Sequence, residues 1–193
     1  MDPAEERECI QKAASGDHRA FRQLVETHRA LTYSIAFRMT RNVAESEDVV
    51  QEAFVRVWKN LRRYDAGFRF RTWIAKIVTN LCLDYLKSPR NRKEGGLELA
   101  ENIAEPGQVY SGIEISELRL AVVRLAELLT PKQKAVFVLR DLEMMEPEEV
   151  CKVLDMPAGN MKSNLFHARK KIKEGLEKWY QKDTLWTAGN VKR

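Results

Sequence analysis

Disulfide chemistry is the first thing this sequence excludes. Its 193 residues hold three cysteines: Cys9, Cys82 and Cys151. They are odd in number, far apart and each set in a helical pattern. They read as small core hydrophobes in a reducing compartment, not as a cross-linked or metal-binding set. Glycine and proline are scarce, nine and six residues. With 32% charged residues, that scarcity points to helices rather than a loop-rich chain. Histidine is scarcer still. His18, His28 and His167 are scattered, no Cys/His set has metal spacing, and no glycine-rich loop follows a strand. The pairs Glu5-Glu6 and Glu148-Glu149 read as acids at helix starts. No catalytic residue, no metal ligand and no cofactor is therefore expected. No apolar run approaches the roughly 20 residues of a membrane span. The acidic N-terminus lacks a signal peptide's basic-then-apolar layout. A cytoplasmic protein with no membrane insertion of its own is the expectation.

What the sequence does have is charge, arranged in blocks. The net charge is +5. Between Lys59 and Lys93 lie ten basic residues, opposed only by Asp65 and Asp84. From Glu94 to Glu117 there are six Glu and no Lys or Arg. From Lys162 to Lys182 the sign reverses again, with seven Lys or Arg against Glu174 and Glu177. Two basic blocks separated by an acidic one suggest two nucleic-acid surfaces on a tether.

Periodicity predicts helices throughout. A short helix spans residues 5–14 and stops at Gly16. Asp17 caps the next, which carries Phe21, Leu24, Val25, Leu31, Ile35, Ala36 and Met39. Residues 45–61 form an amphipathic helix with Val49, Ala53, Val57 and Leu61 on one stripe and Phe54 and Trp58 on its flank. Its other face is polar: Glu47, Asp48, Gln51, Glu52, Arg56 and Lys59. Residues 64–67 are a loop by composition. A helix follows over 72–87, ended by Ser88-Pro89. Residues 89–112 have little periodicity and read as an acidic flexible linker. A helix returns at 115–129. Thr130-Pro131 and Glu146-Pro147 are paired helix starts. A last helix carries Met161, Leu165, Ala168, Ile172, Leu176 and Trp179, with polar, frayed residues after Tyr180. The fold class expected is all-α: two small helical modules, 5–88 and 113–180, joined by the linker 89–112.

Two constellations carry chemistry. A short helix, a tight turn at 155–157 and a longer basic helix form a helix-turn-helix pattern, whose second helix can enter the major groove. The competing reading is a helical hairpin with a solvated basic face. Residues 68–73 interleave Phe68, Phe70 and Trp73 with Arg69 and Arg71. Such a segment can stack single-stranded bases and follow their backbone. The competing reading is a row of core aromatics with a solvated basic rim.

The segments SGDHRAFRQLVETH, EDVVQEAFVRVW, FRTWIAKIVTNLCLDYL and LTPKQKAVFVLRDLEMMEPEEV followed by MPAGNMKSNLFHARKKI resemble, in order, the regions of a bacterial sigma-70 family factor of the extracytoplasmic-function (ECF) class. The resemblance runs from about Cys9 to Leu176. It implies a non-catalytic subunit that binds core RNA polymerase at the β′ clamp helices and β flap, recognises −10 and −35 promoter DNA and promotes transcription initiation. It implies an anti-sigma factor as a further partner. Asp48, Gln51, Glu52, Phe54 and Trp58 would form the polymerase contact, with exposed aromatics beside a polar face. Arg62, Arg63, Phe70, Thr72, Trp73, Lys76, Asn80, Asp84 and Lys87 would lie at or near the −10 site. Asn160, Lys162, Ser163, Phe166, His167 and Arg169 would meet −35 DNA.

The chain also departs from the family pattern. Asn160 and Asn164 stand where threonine and arginine are common. Pro147 replaces an aromatic, and Met144-Met145 replace glycine-leucine. Trp73 is followed by Ile74 and not by a second tryptophan. The rival readings are a stand-alone DNA-binding regulator, which leaves the 45–61 surface without a role, and a nucleic-acid enzyme, which needs a carboxylate or metal cluster.

Overall fold

The computed structural model describes residues 1–88 and 113–190. The expected acidic linker, with Glu98, Glu101 and Glu105, lies outside the described residues. Eight α-helices and no strand occur among the described residues.

Local chemistry sets most helix ends. Asp2 opens α1 (Pro3–Ala14) by accepting the amides of Ala4 and Glu5 at 2.7 and 3.0 Å. Gly16, at φ +101°, turns the chain. Such a backbone costs a residue with a Cβ far more than it costs glycine. Asp17 caps α2 (His18–Thr40) through the amides of Arg19 and Ala20. Asn42 caps α3 (Val43–Asn60) through Glu45. A single 3-10 turn, Leu61–Arg63, follows. Helix α4 (Phe70–Lys87) begins two residues before the expected Thr72, because the Arg69 carbonyl accepts the amides of both Thr72 and Trp73.

Beyond the linker, α5 runs Ile113–Ala126 and α6 runs Pro131–Phe137 from a Thr130/Gln133 capping box. Beyond α6 the chain takes a wider turn: Val138–Leu142 is π-helical. Glu146 and Glu149 form the capping box of α7 (Pro147–Leu154). Pro147 sits at the first helical position, where no amide is needed. Asp155, left-handed at φ 50°, turns the chain into α8. That helix extends over Ala158–Asn190 and does not end near Tyr180 as expected. No proline or glycine interrupts it between Tyr180 and Gly189.

Helices α1 to α4 pack around Leu24, Ile35, Met39, Ala53, Val57, Phe70, Ile74 and Val78, all fully buried. Burying each large apolar side chain stabilises by roughly 1.5–3 kcal/mol. The same cluster continues into the second group of helices through Val136, Leu139, Val150, Val153 and Met161. Helix α4 is the shared wall, packed on α2 and α3 on one side and on α6 and α7 on the other. A second cluster joins Ala126, Leu129, Phe137, Ala168 and Ile172. There α5 and α8 meet at Gly175, where an added Cβ would stand 2.2 Å from Leu125 Cδ2.

Candidate nucleic-acid interface

The polar face of α3 is open. Asp48, Gln51 and Glu52 are exposed, as are Val55 and Lys59 one and two turns on. Val55, 38% exposed, sits at the middle of this stripe and was missed in the sequence because a lone valine signals core. Glu52 pairs with Arg56 at 2.7 Å. The aromatics do not join the face as expected. Phe54 is buried in the core. Trp58 is half-buried, stacked on His18 at 5.0 Å and edge-on to Phe21 at 4.8 Å. Helix α2 supplies both rings on which Trp58 packs.

Helix α4 divides the expected −10 residues by face. Trp73, Ile77, Asn80 and Asp84 follow one stripe at steps of four, three and four residues. A cleft of about 320 Å³ opens there, lined by Trp73, Ile77 and Asn80 with Arg56, Asn60 and Arg63. Arg63 and Asn80 are exposed at its lining, Arg62, Asp84 and Lys87 are exposed elsewhere on the surface, and Lys76 is half-buried; Arg62 donates its Nε to the Ala14 carbonyl at 3.1 Å. Arg56, Asn60 and Ile77 are additions from the structure. The first two were hidden because they belong to the preceding helix.

Phe70 and Thr72 leave the group. Phe70 is fully buried, 4.9 Å from the His28 ring and 5.5 Å from Tyr64. Thr72 is buried and donates to Glu149 Oε1 at 2.9 Å. Tyr64, 5.2 Å from Trp73, donates its hydroxyl to the Phe68 carbonyl and closes the 64–68 loop. Burial pushes the Tyr64 phenol upward. Behind Phe70, His28 Nε2 lies 2.9 Å from Glu6 Oε1. Burial holds His28 below its ordinary range, against the opposing pull of Glu6.

In the second group, Asn160, Lys162, Ser163, Phe166, His167, Arg169 and Lys170 are exposed along the start of α8. Phe166 is 63% exposed, beside His167. Arg169 is already engaged: its Nε and Nη2 hold the two oxygens of Asp141 at 2.9 and 2.6 Å. Arg169, expected at −35 DNA, thus also braces α8 against the π-turn. Asn164 turns back on its own helix, donating to the Asn160 carbonyl at 2.8 Å.

The chain matches the Sigma-70 region 2 family over residues 24–92 and the Sigma-70, region 4 family over 119–172. It is 28% identical over 176 residues to the ECF RNA polymerase sigma factor SigW of Bacillus subtilis, covering 86% of this chain and 94% of that protein. It is 30% identical over 178 residues to the ECF RNA polymerase sigma-E factor of Escherichia coli K12, covering 84% of this chain and 90% of that protein. The chain belongs to the ECF sigma factors. A solved structure of CnrH in complex with the cytosolic domain of CnrY has the same fold, with TM-score 0.65 and 27% identity, over 90% of this chain and 97% of that one.

As an ECF sigma factor, the chain binds core RNA polymerase, recognises promoter DNA and promotes transcription initiation. No described helix of this sigma factor is long and apolar enough to cross a membrane. One departure from the family pattern carries a backbone cost. Met144 sits left-handed at φ 54°, a conformation that suits the glycine common there, and its side chain is exposed while Met145 is buried.

Proposed function

We propose a division of labour within this sigma factor. The helices of residues 5–88 form the polymerase-docking and −10 module, and those of 113–180 form the −35 module. Asp48, Gln51 and Glu52, around Val55, dock on the β′ clamp helices of core polymerase. Phe54 and Trp58 hold that face rigid from behind. The cleft under Trp73 and Asn80 takes an unstacked −10 base: an aromatic face stacks on it and an amide reads its edge. Arg62, Arg63, Lys76 and Lys87 hold phosphates along the −10 strand.

In the second module, Asn160, Lys162, Ser163, Phe166 and His167 face the −35 groove, and Arg169 fixes the helix that presents them. The β flap receives this module. The acidic linker 89–112 mimics nucleic acid along the enzyme's RNA exit path. The chain does no covalent chemistry, works in the cytoplasm and is controlled by an anti-sigma factor. The sigma factor RpoE of Bartonella quintana, which shares this fold and is solved in complex with the anti-sigma factor NepR, supports the last point.

The observation that carries this reading is the open polar stripe of α3, which a stand-alone DNA-binding regulator would not use. Core RNA polymerase binding tests it without DNA. Asp48→Arg with Gln51→Ala is expected to weaken binding at least ~100-fold, as truncation of central interface residues does, with helical content unchanged. A folded wild-type chain that does not bind core polymerase would leave the regulator as the better account.

A further inference from the structure

Helix α1 lies ahead of the Sigma-70 region 2 match, which begins at residue 24. None of the docking or DNA-facing residues proposed above falls on it. It packs on α2 and on the 3-10 turn Leu61–Arg63. Two of its groups reach toward the −10 cleft. At its end, the Ala14 carbonyl accepts from Arg62 Nε at 3.1 Å. Carbonyls in a last helical turn have no partner within the helix. In its first turn, Glu6 Oε1 meets His28 Nε2 at 2.9 Å.

His28 carries that contact inward. Its side chain is 6% exposed, and its ring lies 4.9 Å from that of the fully buried Phe70. Phe70 stands 5.5 Å from Tyr64 and 5.6 Å from Trp73, and those two rings are 5.2 Å apart. Trp73 lines the cleft. Two rings, His28 and Phe70, therefore separate Glu6 from the face on which a −10 base would stack.

An apolar side chain could fill the space behind Phe70 with no polar group to satisfy. What the hydrogen-bonded ring adds is direction. A carboxylate only accepts, so Nε2 is the nitrogen that donates. The bond fixes both the tautomer and the plane of the imidazole. The 57° angle between His28 and Phe70 is thereby set from α1.

We propose that Glu6 and His28 are positioning residues for the opened −10 strand: α1 braces the aromatic cluster so that Trp73 presents a fixed face to the base. The role rests on the −10 reading proposed above. Neither residue touches DNA. A stacking face held at one angle loses no freedom when the base arrives, whereas a loose one forfeits part of its binding.

Two measurements on Glu6→Ala and Glu6→Gln decide the matter. The first needs no DNA. In the full chain carrying fluorotryptophan, Trp73→Phe and Trp179→Phe assign the two fluorine signals. Glu6→Ala is expected to shift or broaden the Trp73 signal and to leave the Trp179 signal in place. Glu6→Gln, whose amide oxygen still accepts from His28, is expected to keep both. A Trp73 signal unmoved by Glu6→Ala would overturn the brace. So would a Glu6→Gln signal displaced as far as that of Glu6→Ala.

The second uses holoenzyme and a promoter duplex selected by the wild type from a randomised library, its −10 strand held open by mismatches. Glu6→Ala is expected to weaken binding roughly tenfold, the size of one lost buried hydrogen bond, with core polymerase binding unchanged. An equal loss in core polymerase binding would make α1 a general support and overturn the positioning role. Unchanged promoter binding, where Asn80→Ala does weaken it, would overturn that role too. No effect from either Glu6→Ala or Asn80→Ala would overturn the −10 reading and the role with it, while the fluorine signal still decides whether α1 braces Trp73.

Discussion

Helices α4 and α8 both carry nucleic-acid residues, yet they are built differently. Helix α4 is a wall: neighbours cover it on both sides, and the stripe of Trp73, Asn80 and Asp84 is left for a ligand. Helix α8 is a blade. Its start is exposed on Lys162, Ser163, Phe166 and His167, and it is held from behind by Met161, Ala168 and Ile172. The difference suits two tasks. A base removed from its stack needs a rigid recess, whereas a duplex groove needs a protruding edge.

That contrast can be broken at the wall first. Phe70→Ala empties the centre of the aromatic cluster under Trp73, and is expected to cost about 3–5 kcal/mol in denaturant unfolding. An equivalent truncation on the blade, Phe166→Ala, is expected to stay within about 0.5 kcal/mol, since that ring is exposed. Comparable losses at the two sites would erase the distinction.

Smaller changes sharpen it. Asn164→Arg frees a side chain spent on its own helix and adds a cation to the blade. Duplex binding by holoenzyme should rise roughly fivefold at low salt, and the salt slope should steepen by about one. Met144→Gly relieves the left-handed backbone at the turn before α7 and is expected to stabilise by about 0.5–1 kcal/mol, read from the unfolding midpoint.

The smallest effect is a pH slope from α2, behind the wall. His28 lies below its ordinary value of 6.5 in the fold because burial disfavours its charged form. The unfolded chain therefore takes up a proton that the folded chain declines. Its stabilising contribution is present above 6.5 and lost as pH falls below it. Melting temperature should drop between about pH 7.5 and about pH 5.5, and His28→Gln should flatten that slope.

Helix starts were legible from sequence because their causes are local. Asp17, Thr130-Pro131 and Glu146-Pro147 each act on amides within three residues. The division of the aromatics was not. Phe54 and Trp58 sit where a 3.6-residue period marks a helix flank, but the period does not say which neighbour covers that flank, and Phe70 fell before the expected helix start. His18 and Phe21 claim Trp58 from more than 35 positions away in sequence. Thr72 was misread for the same reason: its partner Glu149 is 77 residues distant. The π-turn at 138–142 also left no periodic trace, since one extra residue in a turn only blurs the apolar stripe.

Gly175 sets a ruler between α5 and α8. With no Cβ, it lets Leu125 settle directly against the helix backbone. A slide of one residue in either direction would bring Glu174 or Leu176 to that spot, and neither fits. The axial register of the two helices is thereby fixed, and with it the offset between the −35 blade and the point where the chain enters its module. Slack for promoters of different spacing has to be taken up outside this seam. The −35 unit moves as one piece, like a caliper jaw of constant length.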